Sequence, residues 1–324
     1  MFRNYIVRRE REFHGRDSNR KVLPFEWGAE FIAPATSFEE VAAAALAESE
    51  RFYACEPARH YDIADNILRF PSAIEGPYPE NNTVWGRFFD GGRDLAVVVL
   101  PQWNCPWDGQ AGLCGILQRA GISALRLSLP YHHYRKPSHL ERAEYLISPN
   151  IGRTLSAARQ SVLDARRAAD WLLSIGHRRV GIVGTSIGSC IAFLAFAHDE
   201  RFSVGVFIHV SGYYADVVWS GLSTSHVRKG LEEGIGLEEL RKLWAPISPF
   251  PFIQRLQGTT RRMLALSGEH DLTFPAGLTR DVHREFQRWR VPVDIQWLPC
   301  GHYTMGEFPF NAIAGFKILT FLMT

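Results

Sequence analysis

The stretch that most constrains this 324-residue chain is RVGIVGTSIGSCIAFLAF, residues 179–196. A β-branched apolar run through Val180, Ile182 and Val183 breaks at Gly184-Thr185-Ser186-Ile187-Gly188, then turns apolar again. A short continuous apolar run reads as a strand buried on both faces, and the longer run after the turn reads as a buried helix. Together they form half of a βα unit. The same alternation runs from about residue 94 to the end of the chain, which sets the fold class as α/β around a mostly parallel sheet.

Strands are expected at 94–101, 123–130, 179–184, 202–210, 262–268 and 293–299, with helices near 109–120, 155–175, 187–198, 277–289 and 309–322. Residues 67–73 and 83–90 are expected to add antiparallel strands at one edge. The core is therefore expected over 67–212 and 251–324. Residues 1–66 form an N-terminal extension, in which Ser37-Phe38-Glu39-Glu40 reads as a capping box opening an alanine-rich helix to about Tyr53. Its first part carries Arg3, Arg8, Arg9, Arg11, Arg16, Arg20 and Lys21, and the expectation there is a solvated or frayed arm. Residues 213–250 read as a helical insertion after a strand's carboxyl end. That is the position of a lid over the site of an open sheet, with a plain surface excursion as the alternative.

Composition narrows the function classes. Hydrophobic residues make up 46% and charged residues 22%, enough for a sizeable core and against wholesale disorder. A net charge of +2 with no long basic tract argues against nucleic acid as the main ligand. The five cysteines are odd in number and none has C-x-x-C spacing. This fits a reducing compartment better than a disulfide frame or a zinc site. The N-terminal MFRNYIVRRERE lacks the apolar core of a secretion signal, and no run of 18 apolar residues occurs. The expectation is a cytoplasmic protein with no transmembrane segment, no cofactor and no metal, and with its oligomeric state open. A G-x-G-x-x-G dinucleotide fingerprint is missing, since the spacing is Gly181, Gly184, Gly188, and so is a phosphate-cradling G-x-x-x-x-G-K-[ST].

Gly184–Gly188 matches G-x-S-x-G, a sharp strand-to-helix turn that raises a strained serine above the sheet. The alternative is an ordinary structural turn. A serine hydroxyl needs a base, and the base needs an orienting group. SGEHDLTFP follows the strand at 262–268 and offers Glu269, His270 and Asp271; LPCGHYT follows the strand at 293–299 and offers His302. Each lies just past a strand's carboxyl end, the edge where the serine also emerges. The expected triad is Ser186, Asp271 and His302, in the chain order that suits this turn. Asp271 is preferred to Glu269, and Asp216 is the reserve acid. The oxyanion donors are expected to be the Ile187 N–H, at a helix N-terminus, and the N–H of Trp103 or Gln102 after the strand at 94–101.

Trp107, Tyr131, His132 and Trp219 are expected to border the substrate, with packing as the alternative for each. In PYHHYRKP, a turn anchored by Arg135 and Lys136 is the competing reading, and the adjacent His132 and His133 make a poor metal pair. His209 is expected to be a satisfied core histidine within a strand.

With the elbow, the acid loop and the histidine loop in place, residues 67–324 resemble the α/β-hydrolase superfamily. The resemblance implies a mostly parallel sheet flanked by helices with a cap over the site. Members often carry His-Gly at the first oxyanion loop, where this chain has Pro101-Gln102. FEWGAEFI (25–32), AGISALRLSLPYHHYRKP (120–137) and GTSIGS (184–189) are similar to the abhydrolase-domain-containing type 18 group, which implies a serine hydrolase acting on acyl lipids. The function expected is cleavage of an ester or related acyl bond in a small-molecule or lipid-like substrate. The alternatives are an acyltransferase or peptidase using the same triad, or a non-catalytic binding protein that keeps the fold.

Overall fold

The structure, a computed structural model, describes residues 2–16, 20–32 and 37–324. Among them, nine strands form one sheet: β1 (Asp62–Ala64), β2 (Ile67–Pro71), β3 (Thr83–Phe89), β4 (Leu95–Leu100), β5 (Ser123–Leu127), β6 (Arg179–Thr185), β7 (Phe202–Ile208), β8 (Arg262–Gly268) and β9 (Val293–Leu298). Their spatial order is β1-β2-β3-β5-β4-β6-β7-β8-β9. The first three are antiparallel at one edge and the rest run parallel. The helices are α1 (Phe2–Arg16), α2 (Phe38–Ala47), α3 (Ser49–Phe52), α4 (Ala111–Arg119), α5 (Ile151–Ser174), α6 (Ile187–His198), α7 (Tyr214–Ser220), α8 (Ser225–Leu231), α9 (Leu237–Leu243), α10 (Ala276–Arg288) and α11 (Phe310–Met323).

The strand pleat divides the core into two layers. Ala96, Val98 and Leu100 of β4 join Ile182 and Phe207 under α5 and α6. Leu95, Val97 and Val99 pack the other face with Val183 and Val206, against Cys114 and Leu117 of α4 and Ile318 and Leu322 of α11. Helix α6 is buried along its whole length, as its largely apolar sequence requires. Helix α5 starts earlier than its apolar pattern suggests, because Asn150 caps it by accepting the Arg153 N–H at 2.8 Å.

The N-terminal extension departs most from expectation. Residues 2–16 form a docked helix rather than a frayed arm, with Ile6 and Glu10 buried one helical turn apart. Within residues 20–32, backbone also bonds to the core: Glu26 N–H donates to Pro149 O at 2.9 Å, and Gly152 N–H donates to Trp27 O at 2.8 Å. Strand β1 also falls inside the segment expected to precede the core. The capping box is present, with the Glu40 N–H donating to Ser37 Oγ at 3.2 Å.

Sheet register decides where chemistry can assemble. Leu100 lies opposite Gly184, Thr185 opposite Ile208, and Gly268 opposite Leu298. The carboxyl ends of five strands therefore reach one edge together, and the loops that leave them share one space.

Candidate active site

The turn from β6 into α6 puts Ser186 at φ 58°, ψ −128°, a conformation that costs a non-glycine residue on the order of 1–3 kcal/mol. Close packing enforces it. A Cβ on Gly184 would stand 2.1 Å from Gly188 O, and one on Gly188 would stand 2.4 Å from Leu100 O. Ser186 N–H donates to Ile208 O at 2.9 Å, which ties the turn to β7. Ile187 is the first residue of α6, so its N–H has no partner within the helix, and the residue lines the same cavity as Ser186.

Ser186 Oγ lies 2.8 Å from His302 Nε2, and His302 Nδ1 lies 2.8 Å from Asp271 Oδ2. The acceptor at Nδ1 places the ring proton there, which leaves Nε2 free to accept the serine hydroxyl proton. Asp271 Oδ1 accepts the N–H groups of Thr273 and Phe274 at 2.8 and 2.7 Å, so the carboxylate is held at both oxygens. Burial opposes ionisation of Asp271, but His302 and His209 outweigh it and hold the carboxyl well below the usual range. Burial also acts to lower the pKa of His302, yet the Asp271 carboxylate and Glu10 raise it above the ordinary 6.5. The arrangement is a hydroxyl, a base and a buried anion in line, which suits proton abstraction from Ser186.

His209 is not the satisfied strand histidine expected. It sits just past β7 at φ 63° with neither ring nitrogen in an aligned hydrogen bond, and its Nδ1 stands 2.9 Å from Asp271 Oδ2. Burial and the neighbouring His302 push its pKa down, which keeps it neutral. Among the described residues, His209, Asp271 and His302 also form the one group of potential metal ligands, with ligand atoms within 4.8 Å of one another. His302 and His209 both turn Nδ1 to the same Asp271 oxygen, Oδ2.

Gln102 and Trp103 lie on the turn after β4, in the wall of the Ser186 cavity. The Trp103 indole N–H donates to Ala143 O at 2.8 Å, and its ring stacks on His226 of α8 with centroids 5.6 Å apart. Trp107, Tyr131, His132 and Trp219 lie off the cavity. Trp107 packs against His133 and Tyr134, Tyr131 is buried between Tyr78 and Tyr145, and Trp219 lies under the Arg228 guanidinium. His132 is a brace. Its Nε2 accepts the Asn104 N–H at 2.9 Å, so its proton is on Nδ1, which donates to Pro130 O at 2.9 Å. His133 Nε2 donates to Cys105 O at 2.6 Å. Burial keeps both rings neutral, with His132 pushed down to about 3 and His133 to about 4. The two histidines pin the turn that carries Gln102 and Trp103. Arg135 anchors their own loop through Asp164 at 2.9 Å. Asp216 is engaged by Arg241, and Glu269 is exposed.

Ser186 opens into a cavity of ≈ 820 Å³. Its walls are mostly apolar, with Leu113, Ile116 and Ile318 from α4 and α11 and with Val217 and Val218 from α7. Tyr303 donates to or accepts from Ser223 at 2.6 Å, joining the histidine loop to residues 213–250. The sequence missed Glu10, which is buried and accepts hydrogen bonds from the histidine loop. The one signal available was its helical spacing from Ile6.

No family model matches the sequence, and no curated protein matches it either. Solved structures do match. Acetyl xylan esterase 1 from Thermoanaerobacterium sp. superimposes with a TM-score of 0.61 at 15% identity, covering 93% of this chain and 96% of that one. An acylaminoacyl peptidase from Pyrococcus horikoshii gives 0.60 at 10% identity, covering 83% of this chain and 50% of the peptidase. An esterase from Pyrococcus furiosus gives 0.54 at 14% identity, covering 82% and 90%. The sheet order and these superpositions define the class: the chain has the α/β-hydrolase fold. No helix among the described residues is long and apolar enough to cross a membrane.

Proposed function

We propose that the protein is a serine hydrolase that cleaves an ester or a related acyl bond through an acyl-enzyme on Ser186. The observation that carries this reading is the relay from Asp271 through His302 to Ser186, two contacts of 2.8 Å at the floor of an apolar cavity. His302 Nε2 takes the hydroxyl proton as Ser186 Oγ attacks the carbonyl carbon, and the carbonyl π pair moves to oxygen. The N–H of Ile187 and an N–H of the Gln102–Trp103 turn stabilise that oxyanion. Its collapse expels the alcohol, which takes the proton from His302. Water then enters by the same steps in reverse and releases the acid.

The cavity's apolar walls favour an apolar acyl group, and residues 213–250 serve as its cover. All five cysteines are free, which supports a reducing, cytoplasmic setting. The test is turnover of p-nitrophenyl esters from acetate to long acyl chains, beside matched aminoacyl anilides. Wild type is expected to cleave esters, with medium or long chains preferred. Ser186→Ala is expected to lose about 10⁴-fold or more in kcat. Anilide cleavage without ester cleavage would replace the esterase reading by a peptidase one. Equal rates for Ser186→Ala and wild type would remove the serine from the chemistry.

A further inference from the structure

The carboxylate of Glu10 has no part in the relay, yet it is one of the best-coordinated groups in the molecule. It is fully buried, and it is carried on α1, 292 residues from His302 in sequence. Oε2 accepts the backbone N–H of His302 at 2.9 Å and of Tyr303 at 3.1 Å. Oε1 accepts the Thr304 N–H at 2.8 Å and the Thr304 hydroxyl at 2.9 Å. Three consecutive amides thus converge on one anion, an arrangement that backbone dipoles favour and that a neutral group would leave underused. A Cβ on Gly301 would stand 2.4 Å from the Glu10 carboxyl carbon, so the loop is shaped around this side chain.

The rest of α1 reinforces the contact. Arg9 donates to Glu307 at 2.8 Å, just past the histidine loop, and the Phe13 ring stacks on Tyr303 with centroids 6.0 Å apart. Left alone, the amides of residues 302–304 would have to find water in a buried place, and orphaned donors there cost about 1–3 kcal/mol each.

From this convergence we infer that Glu10 is a positioning residue for catalysis: the N-terminal helix is a strap that fixes the His302 backbone from behind while Asp271 fixes its ring from the side. The inference rests on the proposed role of His302. The groups facing that imidazole are Asp271 from the loop after β8, His209 after β7 and Tyr303 beside it, with Glu10 of α1 at the backbone behind the ring. Removing the Glu10 charge takes away one of the two anions that favour protonated His302. Since attack needs the neutral ring, the acidic limb of the kcat/KM profile should then move to lower pH.

The experiment compares wild type, Glu10→Gln, Glu10→Asp and Phe13→Ala by ester kinetics across pH, with thermal melting as the control for folding. Glu10→Gln is expected to lower kcat at least tenfold with KM within about twofold, and to shift the acidic limb downward. Glu10→Asp keeps the charge on a shorter stem, so it should hold the limb near its wild-type position while kcat still falls. Phe13→Ala loosens the strap away from the carboxylate and should lower the melting temperature without moving the limb. A Glu10→Gln enzyme that melts earlier but keeps the wild-type kcat and limb would reduce Glu10 to a structural strut. If Glu10→Gln does not fold, Glu10→Asp decides, and a wild-type kcat there overturns the inference. Wild-type protein that fails to hydrolyse any ester would instead defeat the proposed function, so the two failures are distinct.

Discussion

Ser186 and His302 meet across 2.8 Å, but the two segments that present them are held in different ways. The elbow is held by its own turn and by the strands on either side of β6. Gly184 packs on Gly188, Gly188 packs on Leu100 of β4, and the Ser186 N–H donates to Ile208 O just past its own strand pairing with β7. The histidine loop is borrowed: its backbone is fixed by Glu10 from the far end of the chain and its ring by Asp271 from the loop after β8. One half of the proton relay is thus held within the parallel sheet, while the other depends on the docking of a helix from the far end of the chain.

The largest effect of a single substitution is expected at the elbow. Gly188→Val puts branched carbon where even a Cβ would lie 2.4 Å from Leu100 O, so no folded, active protein is expected. Soluble yield and melting measure this, and a stable active variant would show the elbow to be more forgiving than its packing indicates. Asp271→Asn is the next largest change. It keeps shape but removes the anion that orients the His302 tautomer, with kcat expected to fall about 10³–10⁴-fold at little change in KM.

A smaller effect is expected behind the oxyanion turn. His132→Ala leaves the Asn104 N–H without its acceptor, which should cost about 1–3 kcal/mol of stability and lower kcat about tenfold. Denaturant melts and steady-state kinetics read the two quantities separately. The mildest test is pH. His302 must be neutral to accept the proton, and its pKa lies above the ordinary 6.5, so the acidic limb of kcat/KM should have its midpoint above 6.5. A midpoint below that value would mean that burial outweighs Asp271 in solution.

What could be read from the sequence follows the same division. The strand at Arg262–Gly268 and the helix at Ile187–His198 form over the expected residues, because continuous apolar runs bounded by Gly leave little choice. Ser186, Asp271 and His302 could be singled out because each stands just past a strand, a local pattern. The docked state of α1 could not, since its arginines read as a solvated surface and only Ile6 and Glu10 of the helix are buried. His132 resembled a substrate contact because its loop leaves a strand's carboxyl end. That its ring instead accepts the Asn104 N–H depends on how β4 and β5 are paired, which no single segment encodes. His209 read as part of a strand, but the strand ends one residue earlier and a positive φ turns the ring toward Asp271.

The most direct measurement of the central claim is reaction of the intact protein with a fluorophosphonate, followed by peptide mapping of the adduct. One phosphonyl group per chain is expected, on Ser186, with labelling lost in Ser186→Ala and strongly slowed in His302→Ala. An unlabelled wild type, or an adduct on a neighbouring serine such as Ser189 or Ser211, would contradict it.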